Sequence, residues 1–139
     1  PEMLEVCQSK NITADLKEHD LSVTPYPYES DSINHAVCTG VTHIIEDLSP
    51  LCKEVSRILK PDGMFAFVVA DCNDNEARVR TIENHHAPSK QIKIHRYPQS
   101  TIETLLAANH FKLVNCLDFS SAVIARQRAD YKAYSVQKR

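Results

Sequence analysis

The residues with the widest chemical repertoire in this 139-residue chain are its seven histidines and five cysteines. A metal centre would draw on them, and the densest group is His85, His86 and His95 with Cys72 upstream. That spacing matches no ligand signature and adjacent histidine side chains diverge, so the group reads as surface loop and no metal is expected. The cysteines at 7, 38, 52, 72 and 116 form no CxxC pair and are odd in number. This argues against a zinc ribbon or a disulfide framework. Cys38 and Cys52 lie in apolar surroundings and read as small buried hydrophobes in a reducing compartment. No nucleophile triad or carboxylate pair stands out.

Glycine usage excludes more. Gly40 and Gly63 are the only two, whereas a Walker loop or a dinucleotide-type loop needs two or three close together. Whatever nucleotide site the chain contributes to, a phosphate-cradling loop is not in these residues. Thr39 and Gly40 are still notable, because they follow an apolar strand candidate at its C-terminal end. Ligands of open α/β sheets bind at that end, and glycine allows close backbone approach; the alternative is a plain turn.

The elements that would position these groups come from periodicity. Residues 1–10 open as a helix, with Pro1 and Glu2 suited to a first turn. Residues 13–21 hold a weak polar strand candidate ending at Asp20-Leu21, and 24–32 form a loop in which Tyr26 and Tyr28 pack over the sheet edge. Residues 33–39 read as a strand stopped by Gly40, and 41–47 as turn-like. The clearest helix is 50–60, capped by Ser49, with Leu51, Val55, Ile58 and Leu59 on one face. After a turn at 61–63, residues 64–70 (MFAFVVA) contain no polar side chain, the mark of a central strand buried on both faces. Residues 71–100 are polar and irregular, with a short helix near 76–84. STIE at 100–103 reads as a capping box opening a helix to 109. Residues 111–119 and 131–137 read as strands, the stretch between them being too long for a tight hairpin.

The order strand-helix-strand-helix-strand-strand around a long apolar strand indicates an α/β fold on a mostly parallel sheet with helices on both faces and a closing antiparallel pair. The length fits one domain over residues 1–139. Sixteen basic against 18 acidic residues, net −2, give no electrostatic footprint for nucleic acid or an anionic membrane. No apolar run approaches a membrane span and no signal peptide pattern is present, so the expectation is a cytoplasmic domain.

The segment order resembles a class I S-adenosylmethionine-dependent methyltransferase of the type-11, UbiE-like group. PEML resembles the family's "SPEML", and Asp20-Leu21 its "DA/DL" pair. TPYPYESDSINHAVCTGVTHIIED resembles "LPFPDNSFDLVVSSGVLEHIED", and SPLCKEVSRILKPDGMFAFVVAD resembles "LREVARVLKPGGRLVFSVPD". The tail, STIETLLAANHFKLVNC with YKAYSVQKR, is similar to the last helix and closing strands. The resemblance implies S-adenosyl-L-methionine as cofactor and a small-molecule methyl acceptor. By that resemblance Met3 packs against the adenine, Asp20 and Leu21 meet its amino group and ring edge, and Thr39 and Gly40 approach the methionine part. His43, where the family often carries histidine, acts as a base or orients the acceptor, against a plain helix-capping role. Asp71 and Cys72 face the substrate rim. By the same resemblance His95, Arg96 and Tyr97 line the substrate mouth, against a solvated loop leading into the helix at 100, which is the preferred reading.

Two departures from the pattern matter. KPDG replaces "KPGG", a mild change because Asp62 tolerates turn geometry. The family's first strand, glycine-rich loop and second strand have no counterpart. The family order 3-2-1-4-5-7-6 then leaves strand four as an exposed edge that invites pairing, for instance in a homodimer. Three arrangements resolve this: the residues are part of a truncated methyltransferase domain, strand three docks on strand four, or a second chain fills the gap. The alternative function is a non-catalytic, methyltransferase-like interaction domain that pairs through that edge.

Overall fold

The computed structural model describes residues 2–10, 15–84, 87–124 and 127–139, with side chains for 4–10, 15–82, 91–120 and 129–139. In chain order the elements are α1 (Glu2–Ser9), β1 (Ile33–Cys38), a 3-10 turn (Thr42–Ile44), α2 (Ser49–Ile58), β2 (Leu59–Ala70), β3 (Val79–Asn84), β4 (Ala87–His95), α3 (Gln99–Ala108), β5 (Phe111–Ile124) and β6 (Gln127–Lys138). No described helix is long and apolar enough to cross a membrane.

The main sheet has the order β1-β2-β6-β5. This is the 4-5-7-6 portion of the order that the resemblance implies. The α/β class and the closing antiparallel pair are as expected, while the sheet itself is mixed. Only β1 and β2 run parallel; β6 is antiparallel to both β2 and β5. Of the 13–21 candidate the described residues 15–20 form no strand, and among the described residues nothing docks on the outer side of β1, which stands at the edge of the sheet.

Alternation along β2 explains the core. Phe65, Phe67 and Val69 are buried on one face, beside Tyr134 and Val136 of β6. Leu51, Val55 and Ile58 of α2 and Ile102 and Leu106 of α3 pack onto that same face. The opposite face carries Val37 (74% exposed), Leu117 and Phe119 in the open. The two helices with described packing therefore cover one side of the sheet.

Several local expectations are corrected. Asp47, not Ser49, supplies the cap of α2: its Oδ1 accepts from the Ser49 amide at 2.9 Å, and Leu48 holds the N-cap position. The capping box at 100–103 does not form, because Pro98 occupies the N-cap and the Ser100 hydroxyl donates to Asp74 instead. The proposed short helix near 76–84 is strand β3, paired with β4. Its apolar positions are visible as period two only against the partner strand, where Ile82 faces Ile92. The closing strands also extend further toward each other than expected, Ile124 pairing with Gln127. Tyr26 is a core residue, 7% exposed, while Tyr28 stays outside.

The start of β2 carries an irregularity. Ile33 pairs with Leu59 and His35 with Met64, so residues 60–63 bulge out of the ladder. Asp62 takes a left-handed φ of 63°, which Asp adopts more readily than most residues. Gly63 is squeezed: a Cβ there would lie 2.8 Å from the carbonyl oxygens of both Asn34 and Lys60.

Candidate functional site

Thr39, Gly40, His43, Asp71 and Cys72 lie just past the C-terminal ends of β1 and β2. β1 runs out through Thr39 into Gly40, which has φ +73° and open space where a side chain would stand. The backbone conformation, then, is what calls for glycine here. The chain next makes the 3-10 turn, whose Thr42 is buried and donates its hydroxyl to the Val68 carbonyl of β2. The far end of the turn is tied by the Tyr97 hydroxyl, which donates to Ile45 O; the Tyr97 amide in turn donates to Ala70 O at 2.8 Å. Burial pushes the Tyr97 phenol up to about 12, so this tie persists at any physiological pH.

His43 sits in the middle of this turn, half-buried. Burial moves its pKa below the ordinary histidine value, which keeps the imidazole neutral at pH 7. A neutral ring can accept a proton.

Two clefts hold the expected site residues, and the first borders the turn. The first, about 750 Å³, brings Asp20 and Leu21 against Val41, Ile44, Ile45 and Leu51. This volume is within the usual range for small-ligand sites. Asp20 is exposed, and the amide (2.9 Å) and hydroxyl (2.7 Å) of Ser22 both donate to its Oδ1. Those bonds hold its carboxyl below the usual carboxylate range. The remaining lining mixes the aliphatic Val41, Ile44, Ile45 and Leu51 with the carboxylates of Glu46 and Asp47.

The second cleft, about 500 Å³, is lined by Asp71, Cys72, Arg96, Asp118, Tyr131 and Lys132 among others. Lys132 pairs with Asp118 and stands 3.6 Å from Asp71 Oδ2. Asp71 Oδ1 is buried with no hydrogen-bond partner among the described residues. Arg96 is held by the Asp71 carbonyl at 2.9 Å and by Glu76 at 3.1 Å. Cys72 is 6% exposed and burial pushes its thiol up, which suits a wall and not a nucleophile.

The expected site residues thus divide. Asp20 and Leu21 share one cleft, Asp71 and Cys72 another, and Thr39, Gly40 and His43 lie on the segment between β1 and the first cleft's wall. Met3 lies in α1, but its side chain is outside the described residues, as are His85 and His86. Sequence reasoning missed Thr42 and the pairing of Lys132 with Asp118 and Asp71, and its solvated-loop reading of 95–97 is corrected at Tyr97, which is 7% exposed. Only Thr42 carried a local signal, a hydroxyl beside a strand-ending glycine.

Comparisons with known proteins bear on the fold and on residues 1–67. A family model described as a methyltransferase domain matches residues 1–67. No curated protein matches the chain in sequence. Among solved structures, a S-adenosylmethionine-dependent methyltransferase of Methanosarcina mazei has a TM-score of 0.73 at 16% identity, over 88% of this chain and 66% of its own. The 1,6-didemethyltoxoflavin-N1-methyltransferase of Burkholderia thailandensis, with bound 1,6-didemethyltoxoflavin and S-adenosylhomocysteine, has 0.64 at 18%, over 99% and 56%. The [4+2]-cyclase SpnF has 0.70 at 11%, over 97% and 60%. The chain spans less than two thirds of the length of each of these relatives, and the cyclase among them shows that the fold alone does not set the reaction. The chain has the class I S-adenosylmethionine-dependent methyltransferase fold, and its residues 1–67 carry the sequence pattern of the methyltransferase-domain family.

Proposed function

We propose that this chain forms part of a methyltransferase that uses S-adenosyl-L-methionine and acts on a small-molecule acceptor. One observation carries the reading: Asp20-Leu21 and the 41–45 stretch, far apart in sequence, converge on one cleft that sets the Asp20 carboxylate beside the aliphatic Leu21, Val41, Ile44, Ile45 and Leu51, with Glu46 and Asp47 also in its lining. An adenine fits that chemistry, its exocyclic amine donating to the Asp20 carboxylate and its faces packing on Leu21 and Ile44. Oδ1 is engaged by Ser22, which leaves Oδ2 for the amine. Met3, Thr39 and Gly40 remain the further cofactor contacts, Gly40 through the open space in front of its backbone. The bound cofactor supplies a sulfonium methyl group. The protein's share of the work is orientation, and His43, neutral at pH 7, takes the proton of a hydroxyl or amine acceptor. Asp71 and Cys72 place the acceptor in the second cleft. Five unpaired cysteines favour the cytoplasm as its location.

Calorimetric titration with S-adenosylhomocysteine tests this. Asp20→Ala should weaken binding about tenfold, in line with the loss of a hydrogen bond to a charged group. Equal affinity for both proteins would remove the adenine from this cleft.

A second reading rests on a different observation. The outer side of β1 pairs with no described residue, and Val37 beside it is 74% exposed. Such an edge accepts a further strand, from a partner or from a second copy in a homodimer. Val37→Lys would abolish that association in sedimentation equilibrium and leave a monomer unchanged.

A further inference from the structure

The stretch carrying Asp20 and Leu21 has little to hold it. Among the described residues, only two hydrogen bonds leave residues 15–23, and both end on the loop that follows. Lys17 Nζ donates to Pro27 O at 3.3 Å, and the Tyr26 hydroxyl donates to Leu21 O at 3.0 Å. The Tyr26 ring also meets His19 edge-on at 5.3 Å.

That loop is itself held from α2 by a pair of charges. Glu54, 7% exposed, accepts from the Tyr26 amide at 2.7 Å. Arg57 grips Glu54 through Nε and a terminal nitrogen, at 3.0 and 2.8 Å. Its guanidinium also donates to Tyr26 O at 3.1 Å and Tyr28 O at 2.9 Å. The amide and carbonyl of Tyr26 are thereby both occupied, and the side chain is directed at Leu21.

Burying a carboxylate costs free energy that a well-packed apolar pair would not, so such a pair is weak evidence for stability. It is better understood by what it orients. Resting on the cofactor reading above, we infer that the Glu54–Arg57 pair and Tyr26 form a positioning relay that runs from α2 to Asp20-Leu21 and presets the adenine end of the cleft. None of the three is itself part of the cleft's lining; Tyr26 acts on it through the backbone of Leu21 and the ring of His19. Tyr26 stands where the family pattern quoted above has phenylalanine, so the hydroxyl can be removed with the ring kept.

The test uses Tyr26→Phe, with Glu54→Gln as a second break in the relay. Hydrogen exchange of the 139-residue protein is followed by mass spectrometry, and S-adenosylhomocysteine is titrated beside its analogue lacking the exocyclic adenine amine. In Tyr26→Phe, amides at 19–23 should exchange about fivefold faster, the worth of one net hydrogen bond, with α2 and β1 unchanged. Preference for S-adenosylhomocysteine over the analogue should fall by a similar factor, a readout that loop anchoring alone would not move. Unchanged exchange at 19–23 in both variants overturns the relay, as does faster exchange with the preference intact where Asp20→Ala abolishes it. Faster exchange in Tyr26→Phe, with Asp20→Ala binding as tightly as the unaltered chain, keeps the mechanical relay, removes its adenine role and refutes the cofactor reading instead.

Discussion

The neighbouring residues Asp62 and Gly63 should respond in opposite ways to a single methylene-sized change. At Gly63 a Cβ would lie 2.8 Å from Asn34 O on β1, 2.8 Å from Lys60 O and 3.3 Å from a Leu59 methyl. Both oxygens are backbone, so neither can rotate away, and relief requires β1 to move off β2. Overpacking of this kind costs about 1–3 kcal/mol, and two rigid contacts put Gly63→Ala near the upper end. With an unfolding entropy of about 2.1 cal/mol/K per residue, a loss of about 3 kcal/mol lowers the melting temperature by about 10 °C. Asp62→Gly removes a side chain from a left-handed position (φ 63°) and frees the unfolded chain at the same time. These effects oppose one another, and the net change should stay within about 1 kcal/mol. The chain has no tryptophan, so far-UV circular dichroism in urea and on heating is the suitable assay. A Gly63→Ala protein melting within about 2 °C of the parent would refute the argument from close approach. So would an Asp62→Gly protein that loses as much as Gly63→Ala.

Two further measurements probe buried ionisable groups. Hydrogen bonds from Arg57 are the main reason that the Glu54 carboxyl lies below its ordinary value of 4.5. Its contribution is therefore present above the unfolded-state pKa and is lost as pH falls through the lower folded-state value. Urea midpoints between pH 5 and 3 should drop less steeply in Glu54→Gln than in the parent; parallel curves would show that the pair has no such linkage. Burial pushes the Cys52 thiol up to about 12. At pH 8, iodoacetamide should leave Cys52 unmodified in the folded protein and alkylate it in urea, read by mass spectrometry, and rapid native labelling would contradict its burial.

Legibility differed by region for physical reasons. The parallel unit of β1, α2 and β2 was readable because it is built from contiguous signals: Pro50, a one-sided apolar helix face and an unbroken apolar run. The β3–β4 hairpin was not, because residues 71–100 contain few apolar positions and their period appears only across the pair, as Ile82 against Ile92. The capping box at 100 misled because Pro98, unable to donate, already stood at the N-cap, and Ser100 found Asp74 instead. At the candidate site, the resemblance named Asp20, Leu21, Thr39, Gly40 and His43, but nothing in the spacing separates the two clefts. Nor does the spacing show the ties made by Tyr97 and Thr42, whose partners Ile45 and Val68 lie 52 and 26 residues away along the chain. Glu54 and Arg57 look like an ordinary exposed i, i+3 helix pair until the 26–28 loop is laid over them.

Sheet order also constrains how the molecule comes into being. β6, last of the six described strands in chain order, lies between β2 and β5 and not at a margin. It brings Tyr134 and Val136, 1% and 0% exposed, to the centre of the core. A nascent chain emerging from the ribosome therefore carries β2 with one flank bare until residue 137 pairs with Met64. Through all of that synthesis Phe65 and Phe67 have helices to rest on but no neighbouring strand on that side. Closure comes from contacts of long sequence separation, whose loop entropy must be met before they contribute anything, so the sheet should form late and in one cooperative step. A fragment ending before β6 would retain the helices' local signals and present an apolar strand to any chain within reach.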